Sequence, residues 1–90
     1  MAIQYTQTLI SLKRLLEAQS CETLAKIIKQ ENDNAGALIL ALCSAQNRSD
    51  ILRKLKQSKQ ISLLKSLKNL QQPSDFVIQV VIESLRKKLS

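Results

Sequence analysis

The stretch Ala35–Cys43 constrains the fold most, because none of its nine residues carries a charged or amide side chain. A helix that is apolar on every face has no side that it can give to water, so it must lie inside a protein or a bilayer. Crossing a membrane takes about 20 residues, which this stretch does not have. We therefore predict a buried helix at the centre of a bundle. Its most buried side chains should be Leu38, Ile39, Leu40 and Leu42.

The rest of the composition favours helices around that centre. The 90 residues include one Gly and one Pro, which leaves few of the residues that tight β-turns need. A hydrophobic content of 44% is sufficient for one modest core. We predict an all-α fold, a single domain over residues 1–90, with five to six short helices packed around the central one.

The first helix is predicted over residues 3–19. Tyr5, Leu9, Leu12 and Leu16 recur at helical spacing, which places them on one face of that helix. We expect this stripe to be buried.

Polar residues mark the boundaries of the next two helices. Ser20 is suited to be the N-cap of a helix that runs from Cys21 to about Glu31. After a turn rich in Asn and Asp, Asp33 or Asn34 is predicted to cap the central helix.

Two further helices are predicted between the central helix and the proline. Ser49 is placed to cap the first of them. An apolar stripe that begins at Ile51 falls out of phase with one that includes Ile61 and Leu64. We therefore expect a bend at residues 58–60 that separates the two helices.

The last helix is predicted to follow Pro73, with Ser74 as its N-cap. Residues 76–82 are rich in β-branched side chains, which suggests a strand. However, Ile78, Val81, Ile82 and Leu85 hold helical spacing, and no second strand is available for pairing. We therefore predict a helix here.

Catalytic chemistry is poorly supported. The chain has no His, no Gly-rich phosphate loop and no paired carboxylates that could share a proton. Cys21 and Cys43 lack the partners of a zinc site and are expected to be reduced thiols in the core. We expect no enzyme activity, no metal, no cofactor and no small-molecule substrate. The N-terminus lacks the features of a signal peptide, so a cytoplasmic location is expected.

The charge distribution is the strongest functional signal. The net charge is +7, and residues 1–45 contribute none of it, because four basic and four acidic groups cancel there. Ile51–Ser74 carries six cations and no acidic residue. A one-sided basic field points to a polyanion or to an acidic protein surface. The candidate binding residues are Arg48, Arg53, Lys54, Lys56, Lys59, Lys65 and Lys68.

Nucleic acid is the leading candidate partner, gripped by its phosphates without reading of sequence. The basic segment contains no aromatic residue on which bases could stack. Two alternatives remain open. One is a protein–protein module, a regulator or inhibitor that docks its basic face on an acidic partner. The other is a small DNA-binding transcriptional regulator with a helix-turn-helix over Ile51–Leu70. A membrane-surface role is disfavoured, since no segment combines strong amphipathicity with interfacial aromatics.

In size and character the whole chain resembles the small subunits of CRISPR interference complexes of the Cascade type. It shares with them a small, helical, Lys-rich and aromatic-poor chain without an active site. The resemblance implies a subunit of an antiviral nucleoprotein assembly that stacks in several copies and supports the target or displaced DNA strand. It would recruit Arg48, Arg53, Lys54, Lys56 and Lys59 for that contact.

Overall fold

A computed structural model describes residues 4–89, and every regular element in that range is an α-helix. The helices are α1 (Gln7–Glu17), α2 (Cys21–Gln30), α3 (Asp33–Leu42), α4 (Ala45–Arg53), α5 (Gln57–Lys68) and α6 (Asp75–Leu89). The predicted all-α fold of five to six short helices is confirmed. Residues 76–82, whose composition suggests a strand, belong to α6.

Side-chain caps begin most of the helices. The caps are Thr6 for α1, Ser20 for α2, Asn32 for α3, Ser44 for α4 and Ser74 for α6. In each case the side-chain oxygen accepts a hydrogen bond from the backbone N–H three residues later. This satisfies one donor that a helix start otherwise leaves free. The predicted caps Ser20 and Ser74 are confirmed.

Two other predicted caps are wrong. Asn32 caps α3, and Asp33 lies in the first turn, where its negative charge is favourable to the helix dipole. Ser49 lies inside α4, because α3 already ends at Leu42 and Ser44 starts the next helix.

The break between α4 and α5 lies at residues 54–56 rather than at the predicted 58–60. This earlier turn places Leu55 in the core, where it is 5% exposed. The Leu55 carbonyl accepts a hydrogen bond from Gln60 Nε2 at 2.8 Å, so the turn is tied to the first turn of α5. The sequence predicts two helices in this region correctly but misplaces their boundary.

Helix α3 is the buried centre of the bundle, as predicted. Ile39 and Leu40 are fully buried, and Leu38 and Leu42 are each 3% exposed. Its neighbours are α1, α2 and α5. A Cβ at Gly36 would come within 2.7 Å of Leu63 Cδ2, so the glycine permits the close approach of α5.

Helix α1 closes the core by packing against α6 and α3. Leu9, Leu12 and Leu16 are buried as predicted. Tyr5 is not buried, because the helix begins two residues after it. The residue is 52% exposed, and the ammonium of Lys13 lies over its ring. Ile3, where the first helix was expected to begin, lies outside the described residues.

Candidate functional site

Arg48 belongs to the fold rather than to an open binding surface. Its Nε donates a hydrogen bond to the Leu40 carbonyl at 3.0 Å, and its Nη2 donates to the Cys43 carbonyl at 3.3 Å. These carbonyls lie at the C-terminal end of α3, where the Leu40 carbonyl otherwise accepts only from the Cys43 backbone N–H at 3.1 Å. A cation is also favourable at that end of the helix dipole. Arg48 thus closes the central helix.

Lys59 has a similar structural role at the other end of α3. Its ammonium donates to the Glu31 carbonyl and to Asp33 Oδ1, both at 2.9 Å. It therefore joins the α2–α3 turn to the first turn of α5. Of the seven predicted binding residues, Arg48 and Lys59 are half-buried and committed to these contacts.

The Glu31 carboxylate extends the same network to α6. It forms an ion pair with Lys88 and accepts a hydrogen bond from the Ser84 hydroxyl. The hydrogen bond from Lys88 holds the pKa of Glu31 below its ordinary value, although burial opposes this shift. The network fixes the relative positions of α2, α5 and α6.

The other five predicted residues are exposed, but they do not form one cluster. Arg53 pairs with Asp50 at 3.2 Å, and it lies with Lys54 and Lys56 around the α4–α5 turn. Lys65 and Lys68 lie on the last turns of α5. At about 1.5 Å of rise per residue, Lys56 is about 14–18 Å from them along the helix.

The exposed surface of α5 combines aliphatic and basic side chains. Ile61 and Leu64, in the predicted apolar stripe, are 50% and 49% exposed. Lys65 and Lys68 each follow one of them by one turn, so the four residues share one helical surface. We call these four residues the α5 face. Within residues 4–89, neither lysine has an ion-pair partner.

A groove of about 1080 Å³ runs beside α6. Its apolar wall is formed by Phe76, Val77 and Val80, and Phe76 is 78% exposed. The opposite side is more polar and includes the α2–α3 turn, Lys65 of α5 and Asn69, which follows that helix. We call this feature the α6 groove.

The α6 groove exists because α6 is apolar on more than its core side. Ile78, Val81, Ile82 and Leu85 fill the core. That leaves the aromatic and valine side chains of the groove wall largely exposed among residues 4–89. The exposed apolar wall could have been predicted from the sequence. Six of the seven residues from Phe76 to Ile82 are apolar, which is more than one core-facing stripe of a helix requires.

The two cysteines are free and half-buried. Burial raises the pKa of the Cys43 thiol, and that thiol donates to the Ile39 carbonyl at 3.2 Å. A thiol in this setting is a poor nucleophile. Over residues 4–89, no group of three potential ligands from His, Cys, Asp and Glu could hold a metal ion. Nor does any helix there have the length and apolar character to cross a membrane.

Comparison with known proteins overturns the predicted assembly. Residues 21–90 match the model of the FliG middle domain family. The matched segment covers α2 to α6, and α1 precedes it. No curated protein and no solved structure matches the chain. The matched family is a domain of the flagellar motor switch, so the resemblance to CRISPR small subunits is wrong.

Nucleic acid as the partner of the basic residues is wrong for the same reason, both as part of an antiviral complex and as the target of a DNA-binding regulator. The resemblance rested on size, charge and helix content, which unrelated helical domains share. The matched segment covers most of the chain, and the chain belongs to the FliG middle domain family.

Proposed function

We propose that this chain is a non-catalytic protein-interaction module of a flagellar motor switch and that the α6 groove receives another protein of that switch. The observation that carries the proposal is the exposed apolar wall of the α6 groove. Phe76 is one of two aromatic residues in the chain, and it is 78% exposed at the edge of this concave surface.

Leaving this wall in water is unfavourable. Burying one large apolar side chain contributes about 1.5–3 kcal/mol, and exposed apolar surfaces with a polar rim are typical of binding sites. Phe76, Val77 and Val80 together could therefore anchor a partner. Aromatic anchors at the centre of an interface often provide most of its binding energy.

The rest of the α6 groove can orient what the apolar wall anchors. Asn32 in the α2–α3 turn and Asn34 in the first turn of α3 are exposed, and Lys65 contributes a cation from α5. An apolar centre with a small number of polar groups at its edge is the usual anatomy of a protein interface. The Glu31 and Lys59 network holds this turn in place.

Family membership supports the remaining parts of the proposal. The FliG middle domain is a structural domain of the switch, which supports a non-catalytic role and a place on the cytoplasmic side of the flagellar base. A single domain over residues 1–90 is supported by the burial of Leu9, Leu12 and Leu16 of α1 in the same core as α2 to α6.

Photo-crosslinking in flagellated cells tests the proposal. We would place p-benzoylphenylalanine at position 80, on the groove wall, and at position 79 as a matched control. Gln79 is an exposed neighbour on the same helix that does not line the groove. We expect position 80 to give an adduct with another motor switch protein in clearly higher yield than position 79. Equal yields, an adduct with nucleic acid, or no switch protein at position 80 would contradict the proposal.

A further inference from the structure

We infer that the α5 face is a second docking surface and that it takes an acidic amphipathic helix of a protein partner. The inference rests on the proposed role of the chain as a protein-interaction module, but not on the α6 groove. Of its four residues, Ile61, Leu64 and Lys68 do not line that groove, and Lys65 lies at the border of the two surfaces.

The side chains of α5 are divided between the core and the solvent. Leu63 faces the core and is fully buried, whereas Ile61 and Leu64 are about half exposed. These two aliphatic residues form a short ridge at a spacing of three residues. A ridge of this kind packs into the groove between side chains of another helix. The α5 face therefore fits a helical partner with an apolar stripe.

The α5 face is also positively charged. Lys65 and Lys68 border the ridge. Both are exposed, and neither has an ion-pair partner among residues 4–89. The segment Ile51–Ser74 contains no acidic residue that could neutralise them. A partner with Asp or Glu beside its apolar stripe would pair with these cations and reduce their mutual repulsion.

The carboxylates of the chain itself are not placed to pair with the α5 face. A second copy that packed its α5 face on the first would bring Lys65 and Lys68 against like charges, which is unfavourable. Several carboxylates of the chain are already engaged: Glu31 by Lys88, Asp33 by Lys59 and Asp50 by Arg53. The other four are scattered, one each on α1 and α2 and two, eight residues apart, on α6, so no helix of this chain carries an acidic stripe. The acidic helix is therefore assigned to a different protein.

The test uses two designed peptides as probes. One is a helical peptide of about 18 residues, or about five turns, with a Leu stripe flanked by Glu. The other is identical except that every Glu is replaced with Lys. Each is titrated into the ¹⁵N-labelled chain and followed by amide NMR shifts. We expect the acidic peptide to shift the resonances of α5 around Ile61 and Leu64, and the basic peptide to leave them unchanged.

Two variants on α5 locate the binding. Ile61→Gln/Leu64→Gln should weaken acidic-peptide binding about tenfold or more, as expected for loss of apolar anchors. Lys65→Glu/Lys68→Glu should reverse the preference, so that the basic peptide binds better. Both variants change exposed side chains, and circular dichroism should confirm that each keeps its fold.

Four results would overturn the inference. They are no binding of the acidic peptide, shifts centred on Phe76 and Val80 instead of α5, equal binding of both peptides, or a response of α5 to anionic lipid vesicles without a response to the acidic peptide. None of these results would affect the proposal for the α6 groove, which the crosslinking at position 80 tests separately. Conversely, peptide binding on α5 without an adduct at position 80 would contradict the α6 groove proposal and support the inference for the α5 face.

Discussion

Helices α3 and α5 are in direct contact, and each carries several large aliphatic residues, but they place them differently. Those of α3 are all buried, whereas on α5 Leu63 alone is fully buried and Ile61 and Leu64 are half exposed. α3 has neighbours on several sides, and α5 has its main neighbour on one side. The comparison shows that aliphatic content alone does not make a core helix. What remains exposed on a helix packed on one side is available to another protein.

The strongest test of this contrast is the same substitution in the two helices. Leu40→Asp on α3 should unfold the domain, because an uncompensated charge at a fully buried site costs several kcal/mol against a total stability of about 5–15 kcal/mol. Leu64→Asp on α5 should leave a cooperative helical protein. Thermal unfolding followed by circular dichroism measures both. A cooperative Leu40→Asp variant would show that α3 is not the centre of the fold.

A finer test compares two adjacent leucines of α5. Leu63→Ala should lower the free energy of unfolding by about 2–5 kcal/mol, since Leu63 is fully buried against Gly36 of α3. Leu64→Ala should lower it by less than about 1 kcal/mol, because the side chain already contacts water. Denaturant unfolding gives both values. Similar losses for the two variants would mean that Leu64 is also a core residue.

The basic residues provide a third comparison, between Arg48 and Lys54. Arg48→Gln should lower stability by about 1–2 kcal/mol, because the C-terminal carbonyls of α3 lose charged donors. Lys54→Gln should change stability by less than about 0.5 kcal/mol, since Lys54 is exposed. If the two substitutions had equal effects in denaturant unfolding, Arg48 would not be a structural cap.

The smallest effect is expected at Glu31. The pKa of Glu31 is lowered in the folded protein, mainly by the hydrogen bond from Lys88. The interaction therefore stabilises the fold fully above the ordinary glutamate pKa of about 4.3. This stabilisation is lost as the pH falls through the lower pKa of the folded state. Glu31→Gln should cost less than about 1 kcal/mol at pH 7, as for other partly solvated ion pairs. It should also flatten the decline of stability in acid. The exposed Glu83→Gln serves as control, and an acid decline as steep as in the unmodified chain would argue against this role.

Much of the fold could be predicted from the sequence because its signals are local. The apolar stretch Ala35–Cys43 identifies α3, and the N-caps Ser20 and Ser74 mark the starts of α2 and α6. The turn at residues 54–56 could not be placed this way, because it has no Gly or Pro, and Lys56, at the N-cap position of α5, makes no side-chain cap. It is set by the burial of Leu55, a tertiary contact.

The candidate site was harder to predict for a related reason. The sequence does not distinguish a structural cation from a cation free to bind a partner. Arg48 and Lys59 differ from Lys65 and Lys68 because the fold brings carbonyl or carboxylate oxygens to them. Lys59 contacts Asp33, which is 26 residues away along the chain. The +7 charge suggests an anionic partner, but it does not distinguish a phosphate backbone from an acidic protein surface. The family match points away from nucleic acid, and an acidic protein surface stays a proposal.

The central claim is that the apolar side chains left exposed by the fold serve protein contacts. Its most direct test is a Phe76→Ser/Val80→Ser variant of the tagged full chain, with its melting curve and its recovery of motor switch proteins measured on the same preparation. The account predicts a melting temperature close to that of the unmodified chain and loss of switch-protein recovery. An intact variant that recovers switch proteins as efficiently as the unmodified chain would contradict it.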